Sequence, residues 1–322
     1  MIYRTSASGG TCSSNPTIYN FQFGKVNCTI LSDGPTEVAV NPFSVPAPAV
    51  ERSYEKNFRT AFPIVLSQNV LVADMPAGRA IFDTGSFLLP QKLPEFPLFE
   101  NAGQLMKNLR AANISPSSID FVFLTHAHGD HVAGIVTEGG TKAFPNADVF
   151  IGRREHEYWS SPSLSSTSPL LTTDALDSFA QIYLDAIRPY ERTGMFHLVD
   201  TENSEATPVE GIRFMSTFGH TDGHCAIEMK SDDKRLVLTG DAWVSTADQL
   251  QNPEWGFFTE NNQTQAYMSR VQLLGDLAST ATLAVSYHEQ FPGLGYVQER
   301  GAFFEWVPLP PQQLGFGVKK TC

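Results

Sequence analysis

Apolar residues in the first third of the chain gather in short β-rich runs separated by Gly, Pro, Asn or Asp. This predicts strands at 19–23, 25–32, 63–67, 69–75 and 79–82. The period then changes. Leu105, Leu109 and Ala112 return at helical spacing, so a helix is expected over 103–112. A polar turn at 115–118 leads into a strand at 121–124, and another apolar strand is expected at 147–152. An amphipathic helix should follow over 174–187, with Asp174 as its N-cap. The second half repeats the style, with strands at 196–199, 209–218, 225–229, 236–239 and 283–287 and a long helix over 263–277. Two sets of strands, each followed by helices, predict an α/β layered fold with two sheets inside and helices outside.

Two segments interrupt this pattern. Residues 41–59 are rich in Pro, and residues 160–173 are dominated by Ser, Thr and Pro. Loops of this length are uncommon unless they serve a function, so both are expected to border a site. The first is a candidate for a lid or for a homodimer contact. No internal repeat is present, and the 322 residues are expected to form a single domain over 1–322, with an irregular N-terminal arm at 1–17 and an irregular tail at 307–322.

Composition narrows the partners. With 42% hydrophobic and 17% charged residues, the chain is globular rather than disordered. A net charge of -12 and the lack of any Lys/Arg run exclude nucleic acid as the expected partner, and the acidic field disfavours strongly anionic substrates. No apolar stretch approaches a membrane span, so no membrane partner is expected. The N-terminus lacks the apolar centre of a signal peptide, which predicts a soluble, cytoplasmic protein, or a secreted one if the chain is a processed fragment. Cys12, Cys28, Cys225 and Cys322 form no CxxC pair, which rules out a zinc knuckle. Cys12 and Cys322 could be bridged in an oxidising compartment, although free thiols are the simpler expectation.

The chemistry is concentrated in THAHGDH, residues 125–131, directly after the apolar run Phe121-Val122-Phe123-Leu124. Buried imidazoles and carboxylates need hydrogen bonds, paired charges or a metal to offset their desolvation. A tight turn at Gly129 can fold His126, His128, Asp130 and His131 round a common point, and these side chains suit a metal such as Zn²⁺. Three more candidates each follow an apolar strand: His220 in GHTDGH, Asp241 in LTGD, and His288 after 283–287. A satisfied core histidine explains one such placement; four strands each ending in a ligand-type residue point to a metal centre.

Together THAHGDH, GHTDGH, GD and the late His resemble the metallo-β-lactamase-fold hydrolases, over a span from Phe82 to His288. The resemblance implies a four-layer αβ/βα sandwich, with two central mixed sheets, helices outside and a two-metal site at one edge. It implies that His126, His128 and His220 hold one divalent metal and that Asp130, His131 and His288 hold the other, with Asp241 bridging. The expected ion is Zn²⁺, with Mn²⁺, Fe²⁺ or Co²⁺ as alternatives. Asp83, in Asp83-Thr84-Gly85, would orient a ligand imidazole. His224 is expected to support the site without being a ligand. Asp222 stands where relatives most often have Pro, which should alter the turn but not the coordination. His156 and His197 match nothing in the pattern.

The chemistry implied is hydrolysis by a hydroxide bridging two metals, with Asp130 passing a proton to the leaving group and Asp241 holding both ions. No G-x-S-x-G elbow or Walker loop points to another mechanism. Small quorum-signal lactonases usually carry Tyr three residues after the bridging Asp, where this chain has Val244. GDAWVSTADQLQNPEW, Arg270 in the long helix, and Phe291-Pro292-Gly293 look more like the methyl-parathion-hydrolase branch, which also contains lactonases and arylesterases. Trp243, Trp255, Phe257 and Phe258 are expected to line an apolar pocket. The expected substrates are therefore small neutral esters, lactones such as acyl-homoserine lactones, or phosphotriesters. The alternatives are a β-lactamase or glyoxalase-II-like thioesterase and, from another class, a metal-binding or redox protein with one iron.

Overall fold

A computed structural model describes residues 17–87, 89, 97–166, 172–203 and 207–309. Its strands in chain order are β1 (Ile18–Phe23), β2 (Val26–Ser32), β3 (Thr36–Val38), β4 (Ile64–Leu66), β5 (Asn69–Met75), β6 (Gly78–Phe82), β7 (Phe121–Phe123) and β8 (Asp148–Gly152). They continue with β9 (Phe196–Val199), β10 (Ile212–Ser216), β11 (Cys225–Ser231), β12 (Lys234–Leu238), β13 (Leu283–Val285), β14 (Leu294–Arg300) and β15 (Phe303–Pro308).

A seven-stranded sheet has the order β1-β2-β5-β6-β7-β8-β9, and a six-stranded sheet runs β10-β11-β12-β13-β14-β15. Both are mixed: β6 through β9 are parallel in the first, and β12 pairs parallel with β13 in the second. Strand alternation explains the layering. Along β5, Leu71 and Ala73 face the second sheet, where they share a core with Ile212, Ile227, Met229 and Leu238. Val70 and Val72 point the other way, into a core with Leu105 and Leu109 of one helix and Tyr183 and Ile187 of another. On the far side, Ala226 and Val237 of the second sheet pack against Leu273, Leu274 and Leu277 of helix Gln263–Thr280. The result is a four-layer αβ/βα sandwich. Among the described residues, no helix is long and apolar enough to cross a membrane.

Several local expectations change. Residues 41–59 are not all loop: helix Ala47–Lys56 forms within them, with Pro48 in its first turn, where a missing N–H is harmless. The buried Val50 and Tyr54 pack this helix onto Val244 and Ala247. Thr172, not Asp174, caps the helix that runs Thr173–Glu191, because its hydroxyl accepts the Ala175 N–H at 3.2 Å. Val307 and Pro308 of the expected tail belong to β15, which pairs with β14. Helix Arg153–Trp159 and strands β14 and β15 carry too little periodicity to be read beforehand. The paired-cysteine expectation for Cys12 and Cys322, residues 1–16 of the arm, residues 310–322 of the tail and residues 167–171 of the second loop lie outside the described residues. Cys28 and Cys225 are buried free thiols.

Candidate metal centre

The parallel pairs β6/β7 and β12/β13 send their C-terminal ends to one edge, and β10, antiparallel to β11 as β11 is to β12, does the same. Each of these strands is followed by a residue of the cluster: Asp83 after β6, the 126–131 histidines after β7, His220 after β10, Asp241 after β12 and His288 after β13. Crevices outside the carboxyl ends of strands are where α/β sheets bind ligands.

Two sets of donor atoms converge there, His126, His128, His220 and Asp241 in one and Asp130, His131 and His288 in the other. In the first, His128 Nδ1 lies 3.1 Å from His126 Nε2 and 3.0 Å from His220 Nε2. Ligands of a tetrahedral ion with bonds near 2.05 Å sit about 3.3 Å apart, so the spacing fits one metal. The Asp241 carboxylate faces both sets. Its Oδ2 lies 3.1 Å from His220 Nε2, while its Oδ1 lies 3.2 Å from His131 Nε2 and 3.3 Å from His288 Nε2. Asp130 Oδ2 completes the second set, 3.5 Å from His288 Nε2 and 3.8 Å from His131 Nε2.

Two observations show that the residues fit a cation. Buried His131 Nε2 and Asp241 Oδ1 have no hydrogen-bond partner, and native structures rarely leave such atoms unserved. The protonation pattern agrees. Burial, followed by the neighbouring imidazoles, pushes His126 and His128 well below the usual histidine value, leaving them neutral with lone pairs free. Burial would lower His131 as well, but Asp241, Asp130 and Asp83 outweigh it and raise it well above that value. Carboxylates that hold a proton on a buried imidazole offer the same negative field to a divalent ion.

In the second set the far ring nitrogens of His131 and His288 are anchored. Asp83, at φ 55°, sets its Oδ2 2.9 Å from His131 Nδ1 and accepts Thr125 N–H on Oδ1 at 2.9 Å. His288 Nδ1 donates to Ser67 O at 2.8 Å. His224 is not in either donor set: its Nδ1 donates to Thr217 O at 3.1 Å, which leaves Nε2 to accept the Asp241 N–H at 2.9 Å. Arg154 holds Asp222 through Nε at 2.9 Å and Nη2 at 3.3 Å, so an ion pair braces the turn that Pro would stiffen. Gly129 does not supply a left-handed turn. It opens a short helix, Gly129–Val132, and its bare Cα lets Leu89 approach to within 2.9 Å of where a Cβ would sit. His156 and His197 lie elsewhere, bonded to Tyr183 and Asp148.

The floor of an adjoining cavity is made by His128, Asp130, Asp241 and His288, and its walls are largely apolar. Phe257 and Phe258 line it. Trp243 and Trp255 do not, which corrects the expected pocket. Trp243 is buried with Leu250 and Leu273 beneath the second sheet, and Trp255 packs on Phe43. The wall is completed by Leu98, Phe99, Phe179 and Ile182, from segments far apart in the chain, for which no local pattern could have been a signal. Tyr287 was also not anticipated. Its hydroxyl donates to Asp130 O at 2.7 Å and its ring lies 4.0 Å from that of His131; its place beside His288 was the available clue.

Known proteins share this fold. The profile of the Metallo-beta-lactamase superfamily matches residues 63–273. AidC, a dizinc quorum-quenching lactonase solved with the product N-hexanoyl-L-homoserine, is 26% identical, with a TM-score of 0.81 over 91% of this chain and 97% of that one. The hydrolase AbOPH of the beta lactamase superfamily is 24% identical, with a TM-score of 0.80 over 91% of this chain and 98% of that one, a likeness of fold. Among curated proteins, Ribonuclease Z of Nanoarchaeum equitans (strain Kin4-M) is 45% identical over 38 residues, 12% of each chain. The chain thus spans only about an eighth of that relative's length.

Proposed function

The chain belongs to the metallo-beta-lactamase superfamily and is a metal-dependent hydrolase, and from that premise we propose that it uses two divalent metals, most simply zinc, to hydrolyse small neutral apolar esters and lactones of the acyl-homoserine type. The observation that carries this reading is the Asp241 carboxylate, which presents one oxygen to each donor set at the floor of an apolar cavity. His126, His128 and His220 would hold one ion, Asp130, His131 and His288 the other, and Asp241 both. Such ions supply a water of lowered pKa and polarise a substrate carbonyl.

The chain's own residues do the rest. His224 and Asp83 fix the orientation of Asp241 and His131, so the donor atoms need no rearrangement. Asp130 borders the cavity and would take a proton from the attacking water and pass it to the leaving oxygen. Phe257, Phe258 and Phe179 would exclude water and take up an apolar substituent, while a charged glutathione group would lose hydration there with no Lys or Arg among the described lining residues. Val244 in the wall offers no hydroxyl, and the polar groups beside the centre are the side chains of Thr36 and Thr259. AidC, a lactonase with two zinc ions and similar along almost its whole length, supports both the metal count and the substrate class.

Metal analysis with a hydrolysis panel tests this. The panel holds an aryl ester, a long-chain acyl-homoserine lactone, a phosphotriester, a chromogenic β-lactam and a glutathione thioester. Two metals per chain with lactone or ester turnover, lost on chelation and restored by metal, is the expected result. Turnover of only the β-lactam or thioester would overturn the substrate class, and a single iron without hydrolysis would overturn the reading entirely. Asp241→Asn should lower the content of both metals.

A further inference from the structure

Glu155, the third residue of helix Arg153–Trp159, is completely buried without an Arg or Lys partner among the described residues, yet all its oxygen sites are in use. Its Oε1 accepts the Ala127 N–H at 2.9 Å and the Trp159 indole N–H at 2.8 Å. Its Oε2 accepts the Thr221 hydroxyl at 2.7 Å and the Gly223 N–H at 2.9 Å. Ala127 sits between His126 and His128, in the loop after β7 of the seven-stranded sheet. Thr221 and Gly223 directly follow His220, in the loop after β10 of the six-stranded sheet. One carboxylate therefore ties together two loops that arrive from different sheets. The approach is close: a Cβ on Gly223 would stand 2.1 Å from the Glu155 backbone nitrogen.

We propose that Glu155 is a positioning residue that sets the separation of His128 and His220 and thereby the metal affinity of the first donor set, without touching any donor atom itself. A carboxylate is needed because all four partners are donors. An amide of the same shape could accept from one loop only and would turn its own N–H groups toward the donors of the other. The second set, on Asp130, His131 and His288, has anchors of its own in Asp83, Ser67 and Tyr287 and should not respond. The inference rests on the reading that the His126 set holds a metal.

Stepwise titration of the metal-stripped full chain with Co²⁺, followed by visible absorption, separates the outcomes. Glu155→Gln should weaken one of two binding steps by about 10–100-fold and leave the other near its wild-type value. Thr221→Val, which removes a single bond, should weaken the same step by less, and Thr221→Ser should restore it. If both steps keep wild-type affinity in Glu155→Gln while the metal-free melting temperature falls, Glu155 is only a fold element and the inference is wrong. If Glu155→Gln does not fold, an unchanged Thr221→Val titration overturns it equally. A wild-type chain that binds no Co²⁺ would instead refute the proposed metal centre.

Discussion

His220 and His224 stand four residues apart in one motif and do different work, because their ring nitrogens meet different partners. His220 Nε2 belongs to a donor set, whereas His224 Nε2 is spent on the Asp241 N–H. Burial pushes His224 down to about 3, so it remains a neutral acceptor across the working pH range. His220→Ala removes a donor and should empty the first set on dialysis. His224→Ala leaves a buried N–H without its partner, at about 1–3 kcal/mol, and should reduce metal retention less. Metal per chain after dialysis gives the order, and the reverse order would mean that the ligand assignment is wrong. Gly223→Ala is also expected to damage folding, since the new methyl would fall on backbone; overpacking of about 1–3 kcal/mol should show as a lowered melting temperature.

At the scale of elements, the second sheet carries a charge network on β11, the strand next to its β10 edge. Glu228 of β11 faces Arg213 of β10 in register, and its Oε2 accepts from Arg235 Nε of β12 at 2.5 Å. Burial acts against the charge, but the hydrogen bonds from Arg213 and Arg235 outweigh it and hold the carboxyl at about 2. A carboxylate whose folded pKa lies below its unfolded value stabilises the fold above the unfolded pKa, near 4.3, and loses that contribution as pH falls toward 2. Glu228→Gln should therefore melt lower than wild type at neutral pH, with the gap closing between about pH 4.5 and 2. A gap independent of pH would show that shape rather than charge matters there. Helix Thr173–Glu191 was legible in advance because burial of one face dictates its spacing, and β5 was legible as a short apolar run buried on both faces. Helix Ala47–Lys56 was hidden, because prolines that read as loop residues sit at its start, where they do no harm.

Across the whole molecule, the centre draws on both sheets, with the 126–131 loop from one and His220, Asp241 and His288 from the other. An ion that binds only the folded chain adds about 2.7 kcal/mol at a concentration 100 times its Kd. Chelation should therefore lower the melting temperature, and added metal should restore it in a concentration-dependent way. A melting temperature indifferent to chelator would contradict a resident ion that couples the two halves.

Residue type and strand-end position by themselves determined the α/β class and singled out the seven His and Asp residues that cluster, since an apolar run precedes each group of them and a buried His or Asp at a strand end needs a partner. Only the tertiary structure decided that His224 spends both ring nitrogens on backbone groups, that Asp241 turns one oxygen to each set, that Phe257 and Phe258 but not Trp243 or Trp255 face the cavity, and that Glu155 joins the two histidine loops. Those outcomes depend on contacts between segments distant in the chain, where separation in sequence carries no information about distance or direction in space.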